Sequence, residues 1–247
     1  MAVTFAKSFY ISLHSSTERR KRFCDNVEAV DWPEELPKPE WRLGVREAKP
    51  AWYQARGADW GCMRAHLNVY VECILQGISP VMIFEDDCLF PADFARRYRR
   101  FTAAVPDDWG MIYLGGNHTL LPEIVNNEVL LCRRTNMNIA IGFRDDVLAA
   151  PFAFLARFRE QCATQHVHID TLWATILEHR RVKAYAPHYW ITAQAANVSD
   201  RTGCHWTEER FELPEEYRAK MRHIPSGPPP TELIGSTYNP ERELQNA

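Results

Sequence analysis

Apolar residues occur along this chain in two rhythms, short unbroken runs and spacings of three or four, and their order outlines the fold. Phe9-Tyr10-Ile11-Ser12-Leu13 is rich in β-formers and leads into Ser15-Ser16-Thr17-Glu18, a helix-capping sequence ahead of a basic segment at 19–23. Residues 31–56 hold four prolines and four Trp or Tyr side chains without periodicity, which predicts a loop-rich excursion. Met63, Leu67, Tyr70, Val71, Ile74 and Leu75 recur at helical steps, so a helix is predicted over 57–76, ended by Gly77.

Pro80-Val81-Met82-Ile83-Phe84 is the kind of short apolar run that a strand buried on both faces of a parallel sheet requires, and it stops at Glu85-Asp86-Asp87. An amphipathic basic helix follows around 94–104, then a buried strand Met111-Ile112-Tyr113-Leu114 that ends in Gly115-Gly116. Further strands are expected at 129–132, 138–143 and 182–186, with helices at 145–159 and 169–179. Helices alternating with apolar strands predict an α/β sheet. One domain over 1–223 is expected, with a Pro-rich polar tail, extended or disordered, from 224 to 247.

Composition narrows the function. Lys plus Arg is 29 and Asp plus Glu is 32, a formal charge of −3, so no global field draws in a polyanion and dedicated nucleic-acid binding is disfavoured. The basic runs Arg19-Arg20-Lys21-Arg22 and Arg96-Arg97-Tyr98-Arg99-Arg100 read either as local phosphate contacts or as solvated helix faces. Seven cysteines without a C-x-x-C pair, mostly inside apolar runs, read as buried free thiols in a reducing compartment. No leader pattern opens the chain and no apolar stretch is long enough to span a bilayer, so a cytoplasmic location without a membrane span is expected.

Candidate chemistry sits at the strand ends. In open α/β sheets ligands bind outside the carboxyl ends of the strands, which is where Glu85, Asp86 and Asp87 fall. Carboxylates crowded there repel one another unless a cation neutralises them, and oxygen ligands favour Mg²⁺ or Mn²⁺. The other reading is that they cap the next helix. Ser12, Leu13 and His14 after the first strand, and Gly115 and Gly116 after a later one, converge on the same edge, and the glycines permit a close approach. His166-Val167-His168-Ile169-Asp170 places two imidazoles and a carboxylate at alternating positions, either to ligate a metal, or with Asp170 as a base, or with Asp170 only favouring a helix N-terminus.

The order of these segments resembles glycosyltransferase family 25. Tyr10-Ile11-Ser12-Leu13-His14 through Arg19-Arg20 is similar to the family's opening strand and its arginines, with Ser12-Leu13-His14 where Asn-Leu-Asp is usual. Gly61-Cys62-Met63-Arg64-Ala65-His66-Leu67 resembles its Gly-Cys-x-x-Ser-His helix, with Ala65 in place of serine. Val81 through Glu85-Asp86-Asp87 resembles its strand ending in Glu-Asp-Asp, and Asp170-Thr171-Leu172-Trp173 with Gln194 and Ser199-Asp200 resembles its late segments. Together they cover roughly residues 8–205.

The resemblance implies a GT-A fold, a Rossmann-like sandwich with a mostly parallel central sheet flanked by helices, and inverting transfer of a hexose, galactose or glucose, from a UDP-sugar to a saccharide or glycoconjugate hydroxyl. By that resemblance, Asp87 with Glu85 or Asp86 would hold Mn²⁺ or Mg²⁺ against the donor diphosphate, with His205 as a candidate third ligand. Asp170 would be the base, Arg19 and Arg20 would meet the nucleotide phosphate, and Arg64 and His66 would line the donor pocket or brace their helix. Three other readings stay open: a metal-dependent phosphoester hydrolase using His166, His168 and Asp170, a transferase acting on a modified DNA base, and a non-catalytic nucleotide-sugar-binding module.

Overall fold

A computed structural model of the chain describes residues 3–157, 167–179, 181–198, 205–206 and 233–234. The expected alternation is present. Strand β1 (Lys7–Ser12) leads to helix α1 (Thr17–Ala29), short strand β2 (Glu40–Leu43), helix α2 (Gly57–Gln76) and strand β3 (Val81–Glu85). Then come β4 (Cys88–Pro91), α3 (Phe94–Ala104), β5 (Met111–Leu120), β6 (Glu123–Ile124), β7 (Val129–Leu131) and β8 (Arg134–Phe143). Helices α4 (Asp145–Leu148), α5 (Ala150–Arg157) and α6 (Ile169–Glu178) precede β9 (Ala184–Pro187), β10 (Ala193–Gln194), β11 (Asn197–Val198), β12 (His205–Trp206) and β13 (Leu233–Ile234).

Eight strands form the main sheet in the order β2-β1-β3-β8-β5-β9-β7-β6. Six of them run the same way; β8 and β7 are reversed, so β8 pairs antiparallel with both β3 and β5. This is the mostly parallel, helix-flanked sheet of a Rossmann-like GT-A fold. The reversal inside it escapes a reading of apolar runs, since a strand buried on both faces carries no mark of direction.

Successive side chains of a strand point to opposite faces, and the core follows that rule. Phe9, Ile83, Tyr113 and Ile141 pack with Met63, Leu67 and Tyr70 of α2 and with Leu172, Trp173 and Ile176 of α6. Met82, Phe84, Ile112 and Leu114 pack on the other side with Phe23 and Val27 of α1 and Phe94, Tyr98 and Phe101 of α3. Both faces are therefore dry, as the unbroken apolar runs require.

Local signals account for the element ends. Helix α2 starts with Asp59 accepting from the Arg56 N–H (3.1 Å) and ends at Gly77, whose φ of 64° is the left-handed conformation that favours glycine. The stretch 31–56 is not all loop: β2 lies in it and pairs parallel with the edge of β1. Strand β5 runs past its glycines to Leu120, and the expected helix at 145–159 is split into α4 and α5. Among the described cysteines Cys73, Cys88 and Cys132 are buried, Cys62 is partly buried and Cys24 is exposed, so the expectation of burial fails at Cys24 on the outer side of α1. Within the tail, β13 pairs antiparallel with β4.

Candidate active site

Strands β1 and β3 lie side by side with Ile11 opposite Glu85, which brings Ser12 beside Asp86 at the carboxyl edge of the sheet. Strand alternation then splits the three acids. Glu85 continues the face of Ile83 toward α2, where its Oε1 is 3.2 Å from His66 Nε2. Asp86 turns the other way: its Oδ2 accepts from Ser12 Oγ (2.5 Å) and its Oδ1 accepts from the Arg19 guanidinium. Asp87 Oδ2 accepts from Gln194 Nε2 (3.1 Å) and lies 3.2 Å from Arg19 Nη2.

Asp86 and Asp87 are each only 4% exposed, so this pair is built into the protein and does not face bulk solvent, while Glu85 is partly exposed. Burial pushes the Asp86 carboxyl up to about 6, and the Asp87 charge adds to this, while Arg19 pulls the other way. Electrostatics therefore opposes two adjacent buried anions, and a guanidinium from the first turn of α1 is the cation that offsets them. Arg20 is held differently, donating to the Leu13 carbonyl and lying 4.6 Å from the centre of the Trp41 ring. Trp41 Nε1 in turn donates to the Ser12 carbonyl (3.0 Å), and exposed His14 tilts against the same ring. This ties β2, the β1–α1 loop and the start of α1 into one rim.

The glycines at the edge are required by the protein's own chain. A Cβ on Gly115 would come within 2.3 Å of Thr192 Oγ1, and one on Gly116 within 3.0 Å of the Asn136 carbonyl. The segment at Thr192 is fixed there because Ile191 N and Thr192 N both donate to the Leu114 carbonyl, at 2.9 and 3.0 Å. The same segment carries Gln194 to Asp87, and Ala195 N donates to the Asp87 carbonyl (2.8 Å). Gly61 is equally constrained, since a Cβ would meet the Val45 carbonyl at 2.3 Å where that loop crosses α2.

Asp170 is the second residue of α6, and its Oδ1 accepts from Thr171 N (3.0 Å). Because α6 leads by a short connection into β9, which runs parallel to β5, its N-terminus sits at the same carboxyl edge as the acids. Burial, then Cys132, Tyr70 and Asp170, push the Tyr113 phenol far up. Asp170 thus lies on the α2 side of the sheet with Glu85, whereas Asp86 and Arg19 meet on the α1 side. His168 caps α6, with Nδ1 3.3 Å from Asp59 of α2. Arg64 lies half-exposed on α2, 3.7 Å from Glu47 and over the Trp60 ring. His166, Ser199 and Asp200 lie outside the described residues; His205 is described only as part of the backbone of β12.

The second basic run is neutralised locally. Arg96 and Arg97 pair with Asp93, Arg99 with Glu35 (3.0 Å) and Arg100 with Glu128.

Comparison with known proteins gives the same reading as the strand-end motifs. Residues 55–139 match the model of glycosyltransferase family 25, described as an LPS biosynthesis protein family. Over that stretch the chain is similar to glycosyltransferase family 25. It is 28% identical over 209 residues to the "Probable inactive glycosyltransferase 25 family member 3" of Rattus norvegicus, covering 75% of this chain and 35% of that protein. It is 34% identical over 132 residues to the "Inactive glycosyltransferase 25 family member 3" of Homo sapiens, covering 46% and 22%. It is 27% identical over 130 residues to "Procollagen galactosyltransferase 1" of Danio rerio, covering 45% and 21%. The chain spans about a third of the length of the first of these relatives. The matched stretch 55–139 contains α2, β3, the three acids and both edge glycines, so the family likeness rests on the elements that build this edge.

Sequence reasoning missed two features of the edge. Arg19 was expected to meet a nucleotide phosphate, but its guanidinium is already bound to Asp86, a pairing between residues 67 positions apart that local patterns do not encode. Cys62 carried no assigned role although its i, i+4 spacing from His66 on α2 was a readable sign that both face the same neighbour, Glu85.

Proposed function

We propose that this chain is the donor-binding catalytic domain of an inverting glycosyltransferase, moving galactose or glucose from a UDP-sugar to a hydroxyl of a saccharide or glycoconjugate. What carries this reading is the buried Asp86–Asp87 pair that follows β3, with Asp86 bonded to Ser12 at the carboxyl edge of a GT-A sheet. A family 25 relative named as a galactosyltransferase supports the sugar class. Five free thiols among the described cysteines are in keeping with a reducing compartment, the cytoplasm.

A divalent cation fits this edge at Asp87. Asp86 has an oxygen committed to Ser12 and the other to Arg19, whereas Asp87 is a buried hard-oxygen donor whose described side-chain contacts, from Gln194 at 3.1 Å and Arg19 at 3.2 Å, are longer and both fall on Oδ2. Glu85, turned toward α2, is the less suited second ligand, and His205 stays a candidate third. A bound Mn²⁺ or Mg²⁺ would act as a Lewis acid that stabilises charge on the leaving diphosphate. Arg19 orients the Asp86–Asp87 pair and offers a positive end to the same phosphates. Arg20 and Trp41 hold the rim at Leu13, and Gln194 fixes the Asp87 carboxylate. Asp170, at the N-terminus of α6, takes the proton of the acceptor hydroxyl from the face opposite the departing nucleotide.

A second reading has an observation of its own. Arg19 already neutralises the acids, and two family 25 relatives are named inactive, which fits a module that binds a nucleotide sugar without transferring it. Release of UDP from UDP-galactose and UDP-glucose in Mn²⁺, measured with and without a saccharide acceptor, separates the two. Turnover supports the transferase, and Mn²⁺-dependent binding without any UDP release supports the module.

A further inference from the structure

The face of Glu85 that is turned away from the acid pair holds a second arrangement of ligand-type side chains. Cys62 Sγ, a ring nitrogen of His66 and a carboxylate oxygen of Glu85 all lie within 4.8 Å of one another, with His66 buried and the other two partly buried. Among the described residues this is the only group of three such side chains that converges so closely. Cys62 and His66 stand one turn apart on α2, and Glu85 is delivered by the end of β3. We propose that Cys62, His66 and Glu85 form a site for a thiolate-preferring divalent ion of the Zn²⁺ type, distinct from the hard-oxygen site at Asp87.

Three observations support it. Ligand pairs around a tetrahedral Zn²⁺ are about 3.3–3.7 Å apart, given bonds of about 2.0–2.3 Å, and His66 Nε2 and Glu85 Oε1 already stand at 3.2 Å. The hydrogen bond to His66 is the only one that the described side chains make to Glu85, and no described Arg or Lys pairs with it, unlike its neighbours Asp86 and Asp87. Finally, His66 is 2% exposed and the bond to Glu85 is the one its ring makes among the described residues, its Nδ1 having no hydrogen-bond partner, so an ion placed between Nε2 and Oε1 replaces that bond and breaks no other. Thiolate and imidazole select Zn²⁺ over Mn²⁺ or Mg²⁺, and one protein-free position remains on the ion. On binding, Cys62 loses its thiol proton to solvent, the His66–Glu85 hydrogen bond gives way to the ion, and the neutral imidazole carries its one N–H proton on Nδ1. The ion would pin α2 to β3 directly behind the acid edge.

Co²⁺ added to metal-stripped protein tests this, because a cobalt–thiolate bond gives a charge-transfer band and a tetrahedral ion gives intense d–d bands. Expected are both bands at one equivalent, their loss on adding Zn²⁺, loss of the charge-transfer band in Cys62→Ser, and Co²⁺ binding weakened by about 10-fold or more in His66→Asn. Asp87→Ala keeps both bands, which separates this site from the proposed donor site. Circular dichroism confirms that each variant is folded; should Cys62→Ser not fold, His66→Asn carries the test. Absence of a thiolate band in the wild type, or an unchanged band in Cys62→Ser, overturns the proposal.

Discussion

Arg19 donates to Asp86 from the first turn of α1, across a gap that the β1–α1 loop has to close, and this pair decides how two adjacent carboxylates remain buried at the end of β3. Removing one partner of a buried ion pair leaves a charge without compensation, which costs about 3–5 kcal/mol where burial is complete. Arg19 is itself partly solvated, so Arg19→Gln should cost about 2–3 kcal/mol. Urea denaturation checks this. Added Mn²⁺ should stabilise the variant more than the wild type, because the ion then faces no competing guanidinium.

Gly61 supplies a test of packing. With the Val45 carbonyl 2.3 Å from where a Cβ would stand, Gly61→Ala forces either α2 or the loop at 45 to move. The expected loss is about 1–3 kcal/mol, despite alanine's better helix propensity. Gly57→Ala, where nothing lies within 4 Å, is the control and should be neutral or stabilising. Equal melting curves for the two variants would contradict the account of the glycine in this motif.

His118 should make the fold sensitive to acid. Its Nδ1 meets Thr135 Oγ1 (2.9 Å), its ring stacks on Trp190 at 4.7 Å and its Nε2 is walled off, so burial holds its pKa down at about 3. The unfolded chain protonates this imidazole near pH 6.5. Between those two values the unfolded state binds more protons than the native state, so this contribution is complete above about pH 6.5 and is lost as pH falls toward about 3. His118→Asn should flatten the pH dependence of the unfolding free energy in that window, and an unchanged slope would contradict the assignment.

Asp170→Asn separates binding from transfer. The isosteric amide still accepts from Thr171 N, so α6 keeps its start, but it cannot take a proton. Donor affinity should stay within about 2-fold, while transfer falls by about 100-fold or more. Near wild-type turnover would remove Asp170 from the mechanism.

Much of this was readable in the sequence because it is local. Apolar spacing and Gly77 set both ends of α2, and the run 81–84 with its abrupt acids marked β3 and the edge. What could not be read was relational. Nothing in Asn138 to Phe143 says that β8 enters antiparallel between β3 and β5, because a strand covered on both faces looks alike in either direction. Strand β4 escaped for a similar reason, its four residues following the acids without a turn former to announce them. Glu85, Asp86 and Asp87 read as one cluster, yet alternation sends Glu85 to His66 and Asp86 to Arg19, and only the packing of α1 and α2 on opposite faces shows it. The glycines at 115 and 116 signalled a close approach correctly in kind, but the structure shows that the approaching chain is the protein's own, at Thr192 and Asn136.

The most direct test of the central claim is UDP-galactose and UDP-glucose binding in the presence of Mn²⁺, followed as a rise in melting temperature for the wild type and Asp87→Ala. A ligand that binds only the folded state at about 100 times its Kd adds about 2.7 kcal/mol, a shift of several degrees. The account predicts that shift for the wild type with at least one of the two sugars, dependent on the ion, and its loss in a folded Asp87→Ala. No shift with either sugar, or the same shift in both proteins, would contradict it.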